Sequence, residues 1–151
     1  MTVWRYLALA LAVTACSPDN QAPHQGALET LRGQWLVINY WAKWCTPCIK
    51  EIPELNALAA ARPDIRVLGV NFDGATGDEL AQQEEEFGVA FRTLDADPAE
   101  ELGIERPRVL PTTLLVDPTG AVATTLVGPQ TLESLQESLT KAGSESPQRQ
   151  P

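Results

Sequence analysis

At 151 residues with 44% apolar side chains, the chain is sized for one compact domain and is too apolar to be disordered. Its 11 basic residues face 20 acidic ones, a formal net charge of −9. That balance excludes nucleic acid as the principal partner, because binding a phosphate backbone needs clustered positive charge.

The first fifteen residues have the pattern of a secretory signal: Arg5, then the apolar run Leu7–Val13, then the small residues Thr14 and Ala15. The run is shorter than the roughly 20 apolar residues a spanning helix needs. An uncleaved anchor or an amphipathic N-terminal helix is the competing reading. Val13-Thr14-Ala15-Cys16 resembles a bacterial lipobox, which implies that Cys16 carries a lipid and is unavailable for redox work. Several acyl chains hold a protein at a membrane firmly, since each buried methylene contributes about 0.8 kcal/mol. Residues 16–26 are polar and hold Pro18, Pro23 and Gly26, so they read as a lipidated tether in which His24 is simply solvated. The expected location is the periplasmic side of a bacterial membrane. Ser17, in place of the Asp that retains many lipoproteins at the inner membrane, favours the outer one.

The folded domain is expected over residues 27–141. Ala27–Gly33 reads as a short helical turn, and Trp35–Tyr40 as a buried strand. A helix capped by Cys45 or Thr46, with Pro47 in its first turn, carries Ile49, Ile52, Leu55, Leu58 and Ala59 at helical spacing to about Arg62, and Pro53 is expected to kink it. Ile65–Asn71 is a second strand and Asp78–Phe87 a second helix. Strand, helix, strand, helix implies parallel pairing. Val89–Leu94 is expected as a short strand, Pro98–Leu102 as a short helix, and Thr112–Asp117 as a strand that turns through Pro118-Thr119-Gly120 into Ala121–Val127. Thr131–Leu139 closes the domain as an amphipathic helix with Leu132, Leu135 and Leu139 on one face, and residues 142–151 are expected to be disordered. The run Glu84-Glu85-Glu86 reads as a solvated helix face, because consecutive helical residues do not converge on one ion.

Cys45-Thr46-Pro47-Cys48 carries the chemistry. Half of a zinc site, a structural clip and a redox couple all use a C-x-x-C pair. Structural zinc needs four ligands, whereas the domain has no second cysteine pair and its one histidine lies in the tether, so no metal is expected. A clip over so short a loop constrains the unfolded chain little. The pair follows a buried strand and opens a helix, which places Cys45 beside free N–H groups and the positive end of the helix dipole. That setting favours a thiolate at Cys45, the nucleophile, with Cys48 as the resolving thiol.

The segment Val37-Ile-Asn-Tyr-Trp-Ala-Lys-Trp-Cys-Thr-Pro-Cys-Ile-Lys-Glu-Ile-Pro53 resembles the active-site segment of the thioredoxin-like TlpA/ResA reductases. The resemblance covers roughly residues 27–141. It implies an α/β thioredoxin fold, a central mixed sheet flanked by helices, with Gly74–Leu102 as the family's central insertion. It also implies that Pro111 is a cis proline packed against Cys45 and Cys48, that Leu110 offers backbone hydrogen bonds to an extended substrate, and that Trp44, Pro47 and Thr112 support the site. Two departures stand out. Asn39 occupies the position where thioredoxin has an acid and cannot accept a proton from Cys48; a solvent route or Glu51 is left to move it, although Glu51 reads more simply as a capping or water-facing residue. The family's N-terminal hairpin is shortened or absent, which leaves one side of the sheet less covered.

Trp41 and Trp44 are expected to pack around the disulfide, Trp44 partly exposed. Lys43, Arg106 and Arg108 read as ordinary surface charge; the alternative is that Arg108, three residues before Pro111, stabilises the thiolate or selects an acidic partner. The expected reaction is dithiol-disulfide exchange without metal or organic cofactor, on a disulfide-containing protein substrate. The resemblance favours reduction, which requires a membrane electron donor in an oxidising compartment. Two other readings stay open. One is a peroxiredoxin-like peroxidase, against which Ala42 stands where a Thr or Ser is needed three residues before Cys45. The other is an apocytochrome- or haem-handling chaperone of cytochrome c maturation, a branch that often has an acid where this chain has Thr112.

Overall fold

The computed structural model describes residues 26–145. The signal segment, Cys16, His24 and residues 146–151 lie outside them. Within them a 3-10 turn at Glu29–Leu31 precedes β1 (Trp35–Trp41), α1 (Thr46–Ala61), β2 (Ile65–Asn71), α2 (Gly77–Phe87), β3 (Arg92–Thr93), β4 (Thr112–Val116), β5 (Val122–Val127) and α3 (Leu132–Glu145). Among the described residues one five-stranded sheet forms, in the order β3-β2-β1-β4-β5. β1 pairs in parallel with β2 and antiparallel with β4, so the sheet is mixed as expected.

The alternation along β1 separates two cores. Val37 faces a cluster with Ile52, Leu55 and Leu58 of α1 and Leu135, Leu139 and Ala142 of α3. Leu36, Ile38 and Tyr40 point to the opposite face, where Leu94 and Leu28 are buried and Leu102, Ile104 and Leu31 pack against them. Among the described residues the second face is thus covered by the 3-10 turn and the segment after β3. Leu55 is fully buried in the first core. Leu55→Ala is expected to cost about 2–5 kcal/mol through lost transfer energy and the cavity left behind, read as a lower midpoint in urea unfolding.

α1 runs through the exposed Pro53 to Ala61, and its last turn closes on Arg62 N–H to the Leu58 carbonyl at 2.9 Å. In the β4–β5 hairpin, Asp117 Oδ1 accepts from the Thr119 and Ala121 N–H groups at 2.8 and 3.1 Å. Gly120 there has φ +88, a conformation that strains any side chain.

Three expectations are corrected. The strand expected over 89–94 is confined to Arg92–Thr93, which pair with Leu68 and Gly69. Pro98–Leu102 is a turn closed by Leu102 N–H to Pro98 O and Ile104 N–H to Ala99 O, at 2.9 and 3.0 Å, and not a helix. Gly103, at φ +66, ends the pattern before a helix propagates. α3 extends to Glu145, because Ala142 continues the buried stripe of Leu135 and Leu139; residues 142–145 are therefore helical.

Candidate active site

β1 delivers the chain to the site. Its last residue, Trp41, is fully buried and meets Phe87 edge-on, with ring centroids 6.4 Å apart. The chain then turns through Ala42–Trp44, with Cys45 N–H bonded to Ala42 O at 3.0 Å, and enters α1 with Cys45 as its N-cap. The Cys45 sulfur accepts the Cys48 N–H at 3.3 Å, and the two cysteines form a disulfide across a Cα–Cα distance of 5.2 Å. Cys48 is fully buried and Cys45 is 4% exposed. Trp44, Thr46 and Pro47 around them are exposed, so the pair is approached from the helix N-terminus. The N–H groups and dipole there favour a thiolate over a thiol at Cys45.

A second loop closes the site. The Leu110–Pro111 bond is cis, Pro111 is buried, and Leu110 packs against the cluster of Trp41, Ala42, Cys45, Cys48 and Leu80. Thr112 Oγ1 donates to the Val109 carbonyl at 2.7 Å, and Gly128 N–H donates to the Pro111 carbonyl at 2.9 Å, so both flanks of the proline are tied down. Among the described residues nothing bonds to the Leu110 backbone. Val109 and Val127, both flanking Thr112, are 57% and 62% exposed, and Trp44 is 60% exposed. Val127 and Val109 thus lie by the start of β4, which pairs with the end of β1 that leads to Trp44 and the cysteines.

The structure corrects the reading of Glu51. It neither caps a helix nor faces water: it is 2% exposed, three residues along α1 from Cys48 and so on the same side of the helix. Its Oε1 accepts from Asn39 Nδ2 at 2.6 Å, and its Oε2 from Gln130 N–H at 2.8 Å. Asn39 Nδ2 also reaches Thr113 Oγ1 at 3.0 Å. Burial pushes the Glu51 carboxyl above its ordinary 4.5, against the opposing hydrogen bonds from Gln130 and Asn39. A buried carboxyl from α1 is thus hydrogen-bonded to Asn39 of β1. One signal was available in the sequence: Glu51 falls within the stripe Cys48, Ile52, Leu55 that the helical period buries.

The family described as AhpC/TSA matches residues 8–125. The chain belongs to the AhpC/TSA family. The thiol-disulfide oxidoreductase ResA of Geobacillus kaustophilus is 29% identical over 136 residues, covering 86% of this chain and 78% of the relative. The sporulation thiol-disulfide oxidoreductase A of Bacillus subtilis is 30% identical over 110 residues, covering 70% and 67%. The crystal structure of a secreted thiol-disulfide isomerase from Corynebacterium glutamicum superposes with a TM-score of 0.62 at 25% identity, over 78% of this chain and 75% of that one. With its Cys45–Cys48 pair on a thioredoxin fold, this AhpC/TSA chain is a thiol-disulfide oxidoreductase.

The charged residues near the pair of this AhpC/TSA protein divide into two kinds. Lys43 meets Glu79 at 3.5 Å and Arg108 meets Glu105 at 3.7 Å, each pair exposed and worth little. Arg108 engages Glu105 and is 85% exposed, which supports surface charge over thiolate stabilisation. Arg106 is different: its guanidinium lies 3.9 Å over the Phe72 ring. Glu85 and Glu86 are exposed, and among the described residues no group of three or more His, Cys, Asp or Glu gathers to hold a metal.

Proposed function

We propose that the protein reduces disulfides of extracytoplasmic proteins from a lipid-anchored position on the periplasmic side of a bacterial membrane. The observation that carries the proposal is the Cys45–Cys48 disulfide at the N-cap of α1, buried except toward Trp44, Thr46 and Pro47. In the reduced enzyme the Cys45 thiolate attacks a substrate disulfide, forming a mixed disulfide and expelling one substrate thiolate. Cys48 then loses its proton and attacks the Cys45 sulfur; the enzyme disulfide closes, the second substrate thiol leaves, and two electrons have passed to the substrate. Glu51, one turn from Cys48, accepts that proton, in the role its raised pKa suits. The free backbone of Leu110 pairs with an extended substrate segment, while Trp44, Val109 and Val127 take its apolar side chains. Thr112 and Pro47 hold the two loops in place. A membrane electron donor then reduces the pair.

The location rests on the signal-like residues 1–15, on Cys16 as the lipid site and on the secreted relative from Corynebacterium glutamicum. Ser17 after Cys16 favours the outer membrane.

The test sets two substrates before the reduced protein. A disulfide-bonded protein is expected to gain two thiols for each enzyme disulfide formed. Hydrogen peroxide alone is expected to disappear no faster than with a free thiol, since Ala42 leaves the position three residues before Cys45 without a hydroxyl. Rapid peroxide consumption with no transfer to the protein disulfide would replace the reductase reading with a peroxidase.

A further inference from the structure

One side chain outside the exchange chemistry joins the loop after β2, the segment after β3 and the segment before the cis proline. Arg106 lies in the segment between Gly103 and the cis proline. Its Nε donates to Asp97 Oδ2 at 2.6 Å and its Nη2 to the Phe72 carbonyl at 2.6 Å, while the guanidinium covers the Phe72 ring. Both ends of this clamp are fixed. Asp97 Oδ1 accepts from the Tyr40 hydroxyl at 2.7 Å and from Ala99 N–H at 2.9 Å, which ties it to β1. Phe72 N–H donates to the Trp41 carbonyl at 2.8 Å, just past the end of β2.

The clamp leads to Trp44. The Phe72 ring meets the Trp44 ring edge-on, with centroids 6.3 Å apart and planes at 88°. The adjacent Asp73 accepts the Trp44 indole N–H at 2.9 and 3.0 Å, and Asp73 N–H is held by Asn71 Oδ1 at 3.1 Å. A residue 60% exposed contributes little to the core, yet its ring is restrained on one edge and at its nitrogen. The restraint makes physical sense if the exposed face receives something, because a surface already ordered loses less entropy when it binds.

We propose that Arg106 is a positioning residue for substrate docking: by clamping Phe72 it holds the Trp44 indole at the angle on which a protein segment flanking the substrate disulfide packs. This rests on the exchange reading of Cys45 and Cys48 and adds to it the residue that sets protein-substrate affinity. The clamp needs arginine. A planar group stacks on the ring and donates in two directions at once, whereas a lysine ammonium supplies charge without the fork or the stack.

The test uses the full chain in three forms: wild type, Arg106→Met, which keeps an apolar stem over Phe72, and Arg106→Lys, which keeps the charge. Each is reduced and assayed against a disulfide-bonded peptide and against hydroxyethyl disulfide, which is too small to reach the Trp44 face and the cysteines together. Indole N–H signals are followed by NMR. Both variants are expected to raise KM for the peptide about tenfold with kcat within about twofold, to react with hydroxyethyl disulfide as wild type does, and to shift the Trp44 indole signal and speed its exchange with solvent. An unchanged peptide KM in Arg106→Met, full recovery in Arg106→Lys, or equal losses on both substrates would overturn the proposal. If the wild type reacts with neither disulfide, the exchange reading itself fails. The indole signal still reports the clamp in that case, and an unmoved Trp44 signal in Arg106→Met overturns the clamp independently.

Discussion

Cys45→Ser lowers the rate of protein-disulfide reduction by about 10³-fold or more, because a serine hydroxyl stays protonated at neutral pH whereas a helix N-terminus favours the thiolate of a cysteine, a far stronger nucleophile. Cys45 caps α1 and is the cysteine of the pair nearer to solvent, at 4% exposure against none for Cys48. The loop it closes with Cys48 spans three positions, so losing the disulfide removes little loop entropy, and the variant remains folded. The measurement is thiol release from a disulfide-bonded protein, with circular dichroism to confirm the fold. Activity retained within tenfold would move the protein toward the chaperone reading, in which redox chemistry is secondary.

Glu51→Gln produces the second large effect, and it separates into rate and stability. If Glu51 takes the Cys48 proton, the amide cannot, and ring closure at pH 7 slows by about 10²-fold. Exchange then rises only as pH approaches the ordinary thiol range of about 8.5. A rate within twofold of wild type at pH 7 contradicts the role. For stability the sign is fixed by the raised carboxyl of the folded state. Between 4.5 and the raised folded value the unfolded chain has given up its proton at this site while the folded chain still holds it, so the contribution of Glu51 to stability is fully present below 4.5 and is lost as pH rises through the folded value. Asp64, Asp97 and Asp117, whose carboxyls are all lowered, add slopes of the opposite sign, so wild type alone does not report Glu51. The difference between the two proteins does. Glutamine keeps an acceptor for Asn39 but turns a donor toward Gln130 N–H, which costs about 1–3 kcal/mol, and its deficit shrinks as pH is raised from 4.5. Urea unfolding of both proteins at several pH values reads that convergence; a gap that widens with pH would mean that the buried carboxyl is not the titrating group.

β1, α1, β2 and the β4–β5 hairpin were legible because each is written in a local pattern. A continuous apolar run, a proline in the first turn of a helix and Pro118-Thr-Gly120 act over a few residues and need no distant partner. Elements set by tertiary contact were not. Pro98–Leu102 has a helical composition, yet Leu102 is drawn onto the sheet and Gly103 ends the turn before it propagates. Gly143 and Ser144 argue against a helix in the sequence, whereas Ala142 buried beside Leu139 extends α3 past them. Within the site, the cysteine pair was legible from its spacing and its place after a buried strand. Glu51 and Arg106 were not, for a common reason. Each draws its meaning from partners far along the chain: Asn39 and Gln130 for the first, Phe72 and Asp97 for the second. A charged residue reads as solvated until its neighbours are known, and the apolar period that buries Glu51 was the one local hint.

The assignment of an attacking Cys45 and a resolving Cys48 is tested most directly by Cys48→Ser, incubated with a disulfide-bonded protein and examined by non-reducing mass spectrometry. A stable mixed disulfide is expected, with the partner attached to Cys45 and released by an added thiol. No covalent complex, or one on a cysteine other than Cys45, would contradict the assigned roles.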